Sequence, residues 1–182
     1  RGLNCRPPDA TQPAVVGPEL PVGERTRGIV LSVHNMTRGD DEMRTGRCLC
    51  GASTFEIDGE PVIVAHCHCL DCQRLTGAGH STGAMFQEEG IRLIGPVSRY
   101  ELESEAGNTV TRMFCGTCGS PLFGKNTGMP GHMTVSAGAL LNSDDLVPRV
   151  SIFTRSKRAW DSVAADVLAF EAQPKWNPED GA

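Results

Sequence analysis

Polar and apolar residues alternate over residues 52–57, with Phe55 and Ile57 on one side of an extended chain and Thr54 and Glu56 on the other. That period of two predicts a half-buried strand, and Asp58-Gly59 directly after it is a turn dipeptide. The run Pro61-Val62-Ile63-Val64-Ala65 is short and rich in β-branched residues, which predicts a second strand. Further strands are predicted over residues 80–86, 91–94, 98–102, 109–114, 133–137 and 150–153. Only residues 161–170 offer a helix, with Val163, Val167 and Phe170 at compatible spacing. Many short strands without alternating long helices predict an all-β domain.

The first 44 residues lack any such pattern. Pro7-Pro8, Pro13, Pro18 and Pro21 recur among scattered Gly and Arg, so residues 1–44 are expected to be a disordered or non-native extension. A targeting or partner-binding arm is the alternative. The chain opens on Arg1 rather than Met, and Met36 and Met43 are both candidate starts. The expected layout is this extension, a zinc-binding domain over residues 45–174, and a tail over 175–182. A length of 182 residues suits one such domain. The net charge of −5 argues against nucleic acid as a main partner, because phosphate neutralisation needs clustered Lys and Arg. No apolar run approaches the ~20 residues of a membrane span, and residues 28–33 are too short for a secretory core. The expected location is the cytoplasm, where thiols stay reduced. An aromatic fraction of 5% implies a thin hydrophobic core, which a metal clamp would offset.

The chemistry is concentrated in cysteine. Of eight cysteines, all but Cys5 fall in three clusters: Cys48-Leu49-Cys50, Cys67-His68-Cys69-Leu70-Asp71-Cys72, and Cys115-Gly116-Thr117-Cys118. Thiolates this close in sequence can reach one ion from a single tight turn. Structural zinc takes four ligands, whereas catalytic zinc keeps three and leaves one position for water or substrate. Seven cysteines divide as a closed site (Cys48, Cys50, Cys115, Cys118) and an open one (Cys67, Cys69, Cys72). Two alternatives stand beside this. The thiols could pair as disulfides, or His66 or His68 could close the second site to make both purely structural.

These motifs together resemble the glutathione-dependent formaldehyde-activating family, also called centromere-protein-V-like. The resemblance rests on Gly46-Arg47-Cys48-Leu49-Cys50-Gly51-Ala52, Phe55 and Gly59, the central triplet with Gln73-Arg74 and Gly77, and Phe114-Cys115-Gly116-Thr117-Cys118-Gly119-Ser120-Pro121-Leu122. Ala137-Gly138-Ala139-Leu140 and Trp160 fit as well. It implies a β-tent fold, similar to that of a zinc-binding guanine-nucleotide-exchange chaperone, with the same four-plus-three metal partition. It also implies a zinc-dependent carbon–sulfur lyase that joins a small-molecule thiol, glutathione, to formaldehyde or another small aldehyde. Two positions depart from the family pattern: Gln73 stands where many members carry Arg, and Ser151 where many carry His. Cys67, Cys69 and Cys72 are then the candidate catalytic residues, and Arg74 and Arg112 are candidates for holding a glutathione carboxylate. His68 is either an acid/base or a residue turned away to bond the backbone. His66 reads as structural, His80 is open, Ser120 reads as a brace for its knuckle, and Trp160 reads as core. The rival function class is a non-catalytic zinc-stabilised binding module.

Overall fold

In the computed structural model, which describes residues 43–174, the alternation at residues 52–57 becomes strand β2 (Thr54–Ile57), with Phe55 and Ile57 buried and Thr54 exposed. It is the middle strand of a three-stranded antiparallel sheet between β1 (Arg44–Arg47) and β5 (Ile91–Ile94). A second sheet has eight strands. These are β3 (Ile63–Cys67), β4 (Ser81–Gln87), β6 (Val97–Glu103), β7 (Thr109–Cys115), β8 (Pro121–Asn126), β9 (His132–Ser136), β10 (Val150–Ile152) and β11 (Leu168–Ala169). Their order is β11-β10-β3-β4-β9-β8-β7-β6, antiparallel except that β10 runs parallel to both β3 and β11. The all-β fold is therefore as expected. The readings made of residues 1–42, Cys5 among them, and of residues 175–182 lie outside the described residues.

The core forms where the two sheets meet. Phe55 and Ile57 from the small sheet pack in one cluster with Ala84, Phe86, Leu122, Phe123 and Val135 from the large one. Few aromatics are available, and two are used as a pair: Phe55 and Phe123 meet edge to face with centroids 4.8 Å apart. Cys48 and Cys115 belong to the same buried cluster, so the thiol chemistry begins at the edge of the core.

Four local features differ from the sequence reading. No helix forms over residues 161–170. Instead the backbone there is claimed by β10, with the Leu168 amide donating to the Arg149 carbonyl and the Phe170 amide to Ser151, leaving Leu168–Ala169 as a short parallel strand. One helix appears where none was expected, α1 (Leu70–Thr76), directly inside the central cysteine motif. Its ends are well specified. The Cys69 sulfur accepts from the Cys72 amide at the N-terminus, and Gly77 takes a left-handed φ of 67° at the C-terminus, its amide bonded to the Gln73 carbonyl. Strand β8 is a further element absent from the sequence reading, because Pro121 and Gly124 dilute its apolar pattern. Finally, Trp160 is not core: it is 73% exposed. It sits in a turn closed by the Asp161 amide on the Arg158 carbonyl, and it is the Asp161 side chain, not the indole, that is directed inward to the histidines.

Gly46 sets how closely β1 can lie on the core. A Cβ built there would fall 2.0 Å from Phe55 Cζ and 2.6 Å from the Ala139 carbonyl oxygen. Gly46→Ala is expected to cost about 1–3 kcal/mol through overpacking, measured as a lowered midpoint in thermal or urea melts. Gly59→Ala is the control for mutation alone. Its φ of 91° carries backbone strain but no side-chain clash.

Candidate metal centres and cavity

The chain leaving β1 and the turn after β7 bring four sulfurs together. The metal-ligating atoms of Cys48, Cys50, Cys115 and Cys118 all lie within 4.8 Å of one another. Cys48 Sγ is 3.5 Å from Cys50 Sγ, and Cys50 Sγ is 3.9 Å from Cys115 Sγ. Zinc–sulfur bonds of about 2.3 Å in a tetrahedron separate the sulfurs by about 3.8 Å, so the donor set fits that ion. Backbone amides already point at the sulfurs: Ser53 N–H donates to Cys48 at 3.3 Å and Thr117 N–H to Cys115 at 3.4 Å. Ser120 accepts the Leu49 amide at 3.0 Å, which leaves its hydroxyl proton for Cys118 Sγ at 3.2 Å. That hydroxyl is the main reason the Cys118 thiol is held down to about 5. The Ser53 hydroxyl similarly brings Cys115 down to about 7. Ser120 therefore braces the knuckle, as read from the sequence, and also prepares a thiolate.

The central triplet is built differently. Cys67 ends β3, Cys69 caps α1, and Cys72 lies in the first turn of that helix. Their sulfurs also converge within 4.8 Å, and Cys72 is only 3% exposed. Hydrogen bonds from Cys67 and Cys69 pull the Cys72 thiol well below its ordinary range, helped by the charge of Arg112 and the Ser81 hydroxyl. Cys67 is pushed up by the same sharing, and by burial. Three soft donors with one of them favoured as a thiolate fit a zinc ion held on three ligands. All seven cysteines described are free, so no disulfide exists among the described residues.

Between the two thiol clusters lies a cavity of about 600 Å³, lined by Ser81, Arg112, Ser120, Phe123, Thr134 and neighbouring residues. Arg112 joins it to the triplet, its Nη2 standing 3.5 Å from Cys72 Sγ. Arg74 is elsewhere. It is 73% exposed, pairs with Asp71 at 3.0 Å, and borders a separate depression with Leu70, Arg158 and Trp160. The structure thus brings Arg112 to the cavity and leaves Arg74 outside it.

The opposite face of the cysteine loop holds a buried polar network. His68 is fully buried, with Nε2 2.8 Å from Ser151 Oγ. Gln73 donates to the His68 carbonyl at 2.7 Å and to the Ser156 carbonyl at 2.9 Å, and accepts from Arg158 at 2.7 Å. The two departures from the family pattern, Gln73 and Ser151, therefore grip the same residue from two sides. His66 bonds Thr82 through Nδ1 at 3.0 Å, in keeping with a structural role. Asp161 was not singled out by sequence, because a lone acid in a loop 90-odd residues from the triplet carries no pattern. It stands 2.8 Å from His80 Nδ1 and 3.1 Å from His68 Nδ1.

Two outcomes follow from the four-thiol geometry. Cys118→Ser should lower the unfolding midpoint far more than Cys69→Ser, because only the former opens the clamp between sheets; equal losses in calorimetry would contradict the division. Ser120→Ala should weaken zinc retention at that clamp by about 10–100-fold in chelator competition. The loss should grow as pH falls from about 8 towards about 6. The wild-type Cys118 is a thiolate throughout that range, whereas the variant, without the hydroxyl, must first release a proton.

The family model described as glutathione-dependent formaldehyde-activating enzyme matches residues 43–156, more than half of the chain. Among solved structures, a Rhodobacter sphaeroides protein determined as a structural-genomics target is 21% identical. The match covers 54% of this chain and 88% of that one, with a TM-score of 0.45. No curated protein matches. Residues 43–156 contain all seven clustered cysteines and Arg112, and on that match the chain belongs to the glutathione-dependent formaldehyde-activating enzyme family.

Proposed function

We propose that this chain is a zinc-dependent carbon–sulfur lyase that joins glutathione, or a closely similar thiol, to formaldehyde or another small aldehyde. The observation that carries the reading is Arg112, which touches Cys72 Sγ at 3.5 Å and also lines the cavity of about 600 Å³. A cavity of that size suits a small peptide-like ligand. Cys67, Cys69 and Cys72 hold the catalytic zinc in this reading, and Cys48, Cys50, Cys115 and Cys118 hold a structural one. Zinc on three thiolates supplies Lewis acidity and favours the thiolate form of a sulfur that joins it.

The chain's own residues then do three things. Arg112 presents a planar fork that receives a carboxylate of the thiol substrate bidentately and sets its direction relative to the triplet. Ser81 and Thr134 line the same cavity and offer hydroxyls to the peptide groups. Holding thiol and aldehyde together turns an encounter into a local reaction. The new bond joins the substrate sulfur to the aldehyde carbon, the carbonyl π pair moves to oxygen, and the proton lost by the thiol ends on that oxygen. The product is a hemithioacetal, S-(hydroxymethyl)glutathione for the nominal pair.

Exchange NMR of glutathione with formaldehyde provides the test. The wild-type chain should accelerate hemithioacetal exchange and Cys69→Ser should not. Arg112→Lys should raise KM for glutathione about tenfold or more, since a charge-assisted bond is lost, while Arg74→Ala leaves KM unchanged. Glutathione binding without acceleration would redirect the reading to a different aldehyde or a thiol carrier. No binding and no acceleration in zinc-replete protein would replace the enzyme with a non-catalytic zinc-stabilised module.

A further inference from the structure

Alternation along β3 sends His66 and Cys67, at its end, to opposite faces, and the rings of His66 and of His68, the next residue, both lie against that of His80, at 4.4 and 5.2 Å. The thiol site takes up the Cys67 face, and the histidine side has no assigned role. There the metal-ligating atoms of His68, His80 and Asp161 lie within 4.8 Å of one another. We propose that these three residues form a further divalent-cation site, for a first-row transition ion such as zinc, cobalt(II) or iron(II), distinct from both thiol clusters and independent of the proposed lyase activity.

The geometry carries this in several ways. Asp161 Oδ2 stands 2.8 Å from His80 Nδ1 and 3.1 Å from His68 Nδ1. Ligand bonds of about 2.0–2.2 Å separate adjacent donors by about 3 Å, so the three donors are spaced as ligands of one ion. His68 Nδ1 is fully buried and lacks a hydrogen-bond partner, although it faces the carboxylate. Its other nitrogen is engaged by Ser151 Oγ at 2.8 Å. With the imidazole proton on Nε2, Nδ1 carries a lone pair that is 3.1 Å from a carboxylate oxygen but not aligned on it, and a cation bound to both atoms would sit off the line joining them. A ligating histidine ordinarily binds a hydroxyl, carbonyl or carboxylate through its second nitrogen, and Ser151 fills that place. Asp161 is seated against glycine. A Cβ at Gly79 would lie 2.4 Å from Asp161 Oδ2, so this backbone leaves room for the carboxylate and nothing more. His66 completes the wall, its ring 4.4 Å from that of His80 and its own Nδ1 held by Thr82. Two imidazoles and one carboxylate form a harder donor set than thiolates, suited to zinc, cobalt(II) or iron(II).

The experiment compares metal content and metal surroundings in the full chain and in two variants, Asp161→Asn and His80→Gln, each loaded with cobalt(II) and desalted. The wild type should carry one equivalent more than either variant. Its X-ray absorption should contain nitrogen–oxygen neighbours with imidazole scattering in addition to sulfur, and both variants should lose that component while keeping the sulfur one. Equal stoichiometry in wild type and variants would overturn the site, as would a lost ion whose neighbours are sulfur. Should a variant fail to fold, the wild-type spectrum decides alone: an all-sulfur surrounding without imidazole scattering overturns the proposal. Activity plays no part in these readouts, so failure of the lyase reading leaves them interpretable.

Discussion

Cys48 and Cys50 leave the small sheet, Cys115 and Cys118 leave the large one, and their sulfurs meet in one cluster. Most of what is distinctive about the domain depends on that meeting. The packed interior between the sheets rests on few aromatic residues, with Phe55 against Phe123 at its centre. A four-thiol clamp ties two elements more than sixty residues apart, so binding free energy of an ion there is folding free energy. The cavity owes its position to the same clamp, because Cys48, Leu49 and Ser120 form one of its walls.

The second thiol group is held by different means. Its sulfurs are fixed by a strand end and a helix of about two turns rather than by two facing knuckles. Cys69 has two duties there, as a candidate ligand and as the cap of α1, so the state of that sulfur is felt in the helix backbone. The reverse face of the loop is anchored by Gln73, Ser151 and Arg158 around His68. Apart from His68 Nδ1, the polar atoms named here are paired, which makes the loop a defined shape rather than an average of several.

Much of this could be read from the sequence. The strands at residues 52–57 and 91–94 came from alternation and turn dipeptides, and the two thiol groups came from spacing and count alone. What escaped had a physical cause in each case. Helix α1 is short and lies inside a cysteine motif, where ligand spacing obscured the capping pair Cys69 and Gly77. The helical spacing of Val163, Val167 and Phe170 was real, but an open edge at β10 offered those backbone groups hydrogen bonds in extended form. Trp160 looked apolar enough for a core, yet the inward turn of Asp161 put it outside. The same turn creates the carboxylate–imidazole cluster, which no local pattern announces because its members come from residues 68, 80 and 161.

The placement of β10 beside β3 has a consequence for the order in which this protein can be completed during synthesis. The four sulfurs and the Ser120 that braces them are all present by residue 120, so the small sheet can be tied to the β6–β7 hairpin while the last third of the chain is still being made. The floor beneath the cysteine loop is different, since His68 waits for Ser151, the β3 edge waits for a parallel strand, and Asp161 follows ten residues later. A nascent chain therefore passes through a stage in which the clamp is whole and the loop carrying the cysteine triplet is unsupported. The tie at the four thiols comes first, β9 then joins the two halves of the large sheet, and support for the triplet's loop comes last, an order written into the strand sequence β11-β10-β3-β4-β9-β8.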